Sequence, residues 1–199
     1  MISLINKDEK IFPLVAGVLE EEGISVRFGH SLHDVNGEAD FEQVAIIKPD
    51  LYYNTRDFAT PPKSVDGLVV VSGEGGFHFY VAELKSSKLR NIRKKDIEEK
   101  FNTIFDRFLC DDFSHIFMGD YHLKKLNLWL VCDPLGFHKL GEDREETIRR
   151  ANASQKLRGL LADVAIGLRV YEFKGRAAMI KPMLSPPMIE RDSYHDVLI

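Results

Sequence analysis

The chain has 199 residues, 44% of them hydrophobic and 29% charged, with a formal net charge of −4. That length suits one domain, and the balance of apolar and charged residues excludes a disordered chain. No run approaches the roughly 20 apolar residues that cross a bilayer, and Lys7, Asp8, Glu9 and Lys10 interrupt any N-terminal secretory signal, so a soluble, cytoplasmic protein with no membrane partner is expected. The acidic balance does not advertise nucleic-acid binding, although local charge decides that rather than the sum. Cys110 and Cys132 lie in no CxxC or Cys/His cluster, which speaks against structural zinc and for a reducing compartment.

Phe12, Val15, Ala16 and Leu19 recur at helical spacing, so residues 8–22 are expected to form a helix with Pro13 in its first turn and Gly23 as its stop. Ile24 to Phe28 reads as a short strand, and Asn36-Gly37 as a turn. Residues 42–53 read as a strand that Pro49 interrupts or ends, and 54–63 as a loop. Next come two apolar runs, 67–71 and 77–84, around Ser72-Gly-Glu-Gly-Gly76, a β-hairpin pattern. Ile97, Phe101, Ile104, Phe105 and Phe108 form one stripe of a helix over 96–109, with Asp96 and Glu99 resembling a capping box. Leu126 to Val131 reads as a buried strand, 143–165 as another helix, and Leu168 to Phe173 with Ala177 to Ile180 as a second hairpin across Lys174-Gly175. The tail from Ser185 reads as an arm or as a segment draped on the surface. The expected fold is α/β, a mixed sheet with helices on its faces.

The first hairpin carries the chemistry. Asp66 opens its first strand and Glu83 and Lys85 close its second, so folding brings both acids to one end, and Glu83 and Lys85, two apart, share a face. Two carboxylates beside a lysine suit a hard divalent cation such as Mg²⁺, with the backbone carbonyl of Leu84 as a further oxygen ligand. Such an ion activates water and polarises a phosphoryl oxygen, while Lys85 positions the water or neutralises charge on the phosphate. The competing reading makes Asp66 a turn residue and Glu83 and Lys85 a solvated strand end.

On these residues the chain resembles the PD-(D/E)xK nucleases, with the restriction-endonuclease-like fold. Asp66 stands as the first acid, Glu83 as the second and Lys85 as the lysine. The likeness spans about residues 8–132, where the helix-strand-hairpin-helix-strand order is matched, within a single domain over 1–199 whose C-terminal helix, hairpin and tail (143–199) exceed the minimal fold. Val65 replaces the proline of the motif, and a literal Pro49-Asp50 lies too far upstream to displace Asp66. The resemblance implies a Mg²⁺-dependent DNA endonuclease, with Mn²⁺ as a substitute, working as a homodimer on double-stranded DNA in the manner of a type II restriction enzyme. The alternatives are a repair or recombination nuclease of the same fold and an inactive nucleic-acid-binding or interaction protein. A further acid from the first helix often joins such a site. Glu20, Glu21 and Glu22 are the candidates, with Glu21 as the metal ligand among them and a solvated helix end as the rival reading.

Beyond the lysine, Ser86, Ser87, Lys88, Arg90, Arg93, Lys94 and Lys95 supply hydroxyls and cations for DNA phosphates, or else form a solvated basic loop. Arg144, Arg149, Arg150, Lys156 and Arg158 alternate with acids, as on a solvated helix face, with groove contact by that helix as the rival reading. No P-loop, dinucleotide fingerprint or H-E-x-x-H occurs, so no nucleotide cofactor is expected.

Overall fold

A computed structural model describes residues 1–55, 58–86, 93–133 and 169–191. In chain order the elements are α1 (Ile2–Ile5), β1 (Val15–Ala16), β2 (Leu19–Glu21), β3 (Ile24–Phe28), β4 (Val44–Ile47), α2 (Pro49–Tyr53), β5 (Gly67–Gly73) and β6 (Gly76–Lys85). They continue with α3 (Lys94–Asn102), a π-helical extension (Thr103–Asp112), α4 (Ser114–Phe117), β7 (Leu123–Cys132), β8 (Val170–Phe173), β9 (Arg176–Leu184) and β10 (Met188–Ile189). The expected helix over 143–165, with its basic cluster, lies outside the described residues.

Among the described residues, seven strands form one mixed sheet in the order β1-β4-β5-β6-β7-β9-β8, and β10-β3-β2 form a second. In the large sheet, β6–β7 and β7–β9 pair in parallel and the other neighbours antiparallel. Alternation sorts the central strands onto two cores. Leu68, Val70, Phe79, Val81, Leu128 and Leu130 face a core shared with Ile97, Phe101, Ile104 and Phe108 of the long helix. Val69, Val71, Tyr80, Ala82, Trp129 and Val131 face a second core shared with Leu19, Ile24 and Val26 of the small sheet. All the described α-helices place residues in the first core. The described fold is therefore mixed α/β with helices on one face and the small sheet on the other, not helices on both.

Three expectations need correction. Residues 8–22 are not helical. Asp8 Oδ1 accepts the N–H groups of Lys10 and Ile11, both at 3.0 Å, and Pro13 sits in a single 3-10 turn over Phe12–Leu14. Phe12, expected to be buried, is 56% exposed. Gly23 does not end a helix: Glu22 (φ 48°) and Gly23 (φ 80°) make the two-residue turn between β2 and β3. Consecutive left-handed residues match the twist of paired strands. Pairing Leu19 with Val26 then buries both, which a helix with Gly17 in its middle would not achieve.

The strand expected over 42–53 stops at Ile47. Pro49 then opens α2 in its first turn, where its missing N–H costs no hydrogen bond, so Leu51–Tyr53 are helical. The long helix begins at Lys94, before the expected cap, and Asp96 and Glu99 instead take Lys63 Nζ at 3.1 and 2.9 Å. Its second half runs on to Asp112 with π-type pairing, Phe113 N–H reaching Phe108 C=O at 3.0 Å. Both predicted hairpins are present, and the described part of the tail contains β10, where Met188–Ile189 pair in parallel with Arg27–Phe28 and Ile189 is buried.

Candidate active site

The first hairpin sets the geometry. Gly73 pairs with Gly76 across the two-residue turn Glu74-Gly75, and the register ends at Gly67 opposite Ala82. Asp66 is thus level with Glu83, one step past the last pair, and on the helix-side face with Leu68 and Val81. Asp66 Oδ2 accepts the N–H of Leu84 at 2.6 Å, so the acid itself continues the ladder for one more bond. The N–H and C=O of a strand residue point to the same edge. The Leu84 carbonyl therefore faces the Asp66 side, as its expected ligand role needs.

Glu83 is fully buried. Lys85 Nζ and Lys100 Nζ both lie 2.6 Å from its Oε1, while its buried Oε2 has no hydrogen-bond partner. Lys100 also reaches Asp66 Oδ1 at 3.6 Å. The two acids thus converge on one ammonium, and Asp66 divides its oxygens between the Leu84 backbone and Lys100.

Lys100 is the residue that the sequence reading missed. Its signal was spacing: it lies three residues after Ile97 and four before Ile104, on the face that α3 turns to the sheet.

Two more acids join from elsewhere. Glu21 ends β2 on a strand rather than the helix expected for it, and the site depends on Gly67 for its approach. A methyl group at Gly67 would meet the Leu19 side chain at 2.6 Å, so only glycine lets β2 lie this close. The Glu21 carboxyl then lies near enough to Asp66 to feel its charge. Partial loss of hydration, with the Asp66 charge second, pushes its pKa up to about 7. Asp50, three residues past the end of β4, also feels Asp66. Burial, then the Asp66 charge, raises its pKa, and its buried Oδ1 lacks a hydrogen-bond partner. The Pro49-Asp50 pair therefore borders the site without replacing Asp66. Glu22 instead accepts a hydrogen bond from the Ser86 hydroxyl.

The electrostatics show a deficit of positive charge. Burial, with Asp66 second, pushes Glu83 up to about 7 despite its two lysines. Burial opposes the charge on Lys100, but Glu83 and Asp66 outweigh it and raise its pKa. Ionised, Glu21, Asp50, Asp66 and Glu83 carry four negative charges against two positive ones on Lys85 and Lys100. A surplus of two, an all-oxygen donor set and an orphaned Glu83 Oε2 fit a hard divalent cation chemically. Among the described residues, no three His, Cys, Asp or Glu side chains stand arranged around a metal position. Lys100 stands against Asp66 Oδ1 and Glu83 Oε1, which leaves Glu83 Oε2 as the free acceptor of the pair.

Of the expected phosphate contacts, Ser86 is half-buried against Glu22, while Arg93, Lys94 and Lys95 are exposed at the start of α3. Ser87, Lys88 and Arg90 lie outside the described residues. Among the described residues, no helix is long and apolar enough to cross a membrane.

Compared with protein-family models, with curated proteins and with solved structures, the chain matches none.

Proposed function

We propose that the chain is a divalent-metal-dependent phosphodiester hydrolase, a DNA endonuclease of the PD-(D/E)xK type. One observation carries this reading: Asp66 and Glu83, 17 residues apart, meet at one strand end and share a single cation, the Lys100 ammonium, with Lys85 bonded beside it.

In this reading Asp66, Glu83 and the Leu84 carbonyl would hold Mg²⁺ or Mn²⁺, with Glu21 as a further carboxylate. The ion, when bound, would lower the pKa of a water and polarise the scissile phosphate. Lys85, anchored on Glu83, neutralises charge growing on the phosphate and orients the attacking water. Arg93, Lys94 and Lys95 take flanking phosphates. A homodimer would present two such sites to the two strands of a duplex, the arrangement of a type II restriction enzyme. A repair or recombination role uses the same residues.

The test is incubation of supercoiled plasmid with the protein in Mg²⁺, in Mn²⁺ and in EDTA. Metal-dependent nicking or linearisation that disappears in Asp66→Ala and Glu83→Ala supports the assignment, and intact plasmid under every metal condition refutes it.

A second reading, an inactive nucleic-acid-binding or interaction protein on this scaffold, is favoured by Lys100 itself, which already partly neutralises both acids. Retention of DNA without cleavage, unchanged by Asp66→Ala, would support it.

A further inference from the structure

We infer that Lys100 is the resident counter-cation of the acid pair, and that a divalent ion enters the site by exchange with its ammonium. The inference rests on the metal-site reading above and adds how the site is loaded.

The geometry carries it. Lys100 comes from α3, the next described element after β6, yet its Nζ reaches acids of both hairpin strands, at 2.6 Å from Glu83 Oε1 and 3.6 Å from Asp66 Oδ1. Lys85, the lysine of the motif, pairs among the described residues with Glu83 and not with Asp66. The two lysines thus divide the work. Lys85 sits at the edge of the site, whereas Lys100 occupies the space between the carboxylates, which a shared ion would need. Two cations cannot hold that position together, because ammonium and metal would repel at contact distance.

The exchange has a route. The Lys100 side chain is 18% exposed, so its ammonium is not sealed in. A lysine is a point charge on a flexible four-carbon stem, and it can turn outward without moving the helix. Asp96, already paired with Lys63, lies one helical turn earlier on α3, the spacing at which an acid and a lysine can meet on a helix surface. Fully buried Glu83, in contrast, cannot leave. The acids are fixed and the lysine is the movable partner.

Two consequences follow. Metal-free protein keeps its acids assembled rather than repelled apart, so the site is preformed. Metal affinity is weakened by the cost of expelling Lys100, so removing its charge should tighten metal binding while preserving the ligands.

The experiment is Mn²⁺ titration at pH 8, followed by the electron paramagnetic resonance signal of the free ion, on wild-type protein, Lys100→Met and Lys100→Arg. The expected result is binding about tenfold or more tighter in Lys100→Met, with no tightening in Lys100→Arg, which keeps the charge. A second measurement needs no variant: acetylation of lysine amines on wild-type protein, read by mass spectrometry, should rise severalfold at Lys100 when Mn²⁺ is added. If wild type binds Mn²⁺, while Lys100→Met binds it no more tightly and Lys100 acetylation ignores the metal, the inference is overturned. If Lys100→Met alone binds, the inference stands and the nuclease reading falls. If none of the three proteins binds, both fall.

Discussion

Asp66 completes the hairpin that Leu84 belongs to: its Oδ2 takes the Leu84 N–H at 2.6 Å, one position beyond the last paired residues Gly67 and Ala82. The same carboxylate turns Oδ1 toward Lys100. One side chain therefore serves the strand end with one oxygen and the site with the other, and its substitutions should separate the two roles.

Asp66→Ala removes both, leaving the Leu84 N–H without its acceptor, at a cost on the order of 1–3 kcal/mol. Asp66→Asn keeps an acceptor oxygen and should lose less stability. Both should lose metal-dependent cleavage. Thermal unfolding alongside plasmid cleavage checks this; an Asn variant that cleaves at the wild-type rate would contradict the ligand role of Asp66.

Lys85→Ala should lower turnover by about 10²–10³-fold, as loss of one transition-state donor does, with a smaller effect on Mn²⁺ affinity, since Lys85 only borders the acid pair. Single-turnover cleavage and metal titration on the same preparation separate these. A wild-type rate in Lys85→Ala would remove it from the mechanism.

In EDTA the protein should become less stable as pH rises from about 4.5 to about 7. Glu21 and Glu83 are both raised to about 7, so over that window the folded chain binds more protons than the unfolded chain and stability falls with pH. Asp50, also raised, adds in the same direction. Asp8 and Asp96 are lowered by hydrogen bonds to His115 and Lys63 respectively; their contribution is present above the ordinary carboxylate range and is lost only in stronger acid. Glu83, fully buried, should account for roughly 2–3 kcal/mol of the fall, and exposed Glu21 for much less because solvent screens it. Melting temperatures in EDTA at pH 5 and pH 8 measure this. Glu83→Gln should flatten the dependence, and Mn²⁺ should restore stability at pH 8.

Gly67→Ala should destabilise the fold by about 1–3 kcal/mol, the usual cost of overpacking, because its methyl would strike Leu19 at 2.6 Å. It should also push β2, and Glu21 with it, off Asp66. Leu19→Ala in the same chain relieves the clash, so a double-mutant cycle should show a coupling that favours the pair. Additive effects would show that Gly67 does not seat β2.

Much of the site was legible from local pattern. The apolar runs around Ser72-Gly-Glu-Gly-Gly76 specify a tight hairpin, and a tight turn sets register, which places Asp66 level with Glu83. The stripe from Ile97 to Phe108 likewise specifies a buried helix face. The region before Gly23 misled because Val15, Ala16 and Leu19 satisfy helical spacing by chance, while the deciding packing, Leu19 against Gly67, joins residues far apart in the chain.

Sequence alone determined which acids the hairpin brings level and which face each takes, because turn length and the two-residue period of a strand are properties of neighbouring residues. Tertiary structure alone decided that Lys100 stands between those acids, that Glu21 arrives on a strand and that Asp50 borders them. Each of these depends on how a helix, a second sheet and a strand end dock on the hairpin, and docking is settled by the packing of residues distant in the chain.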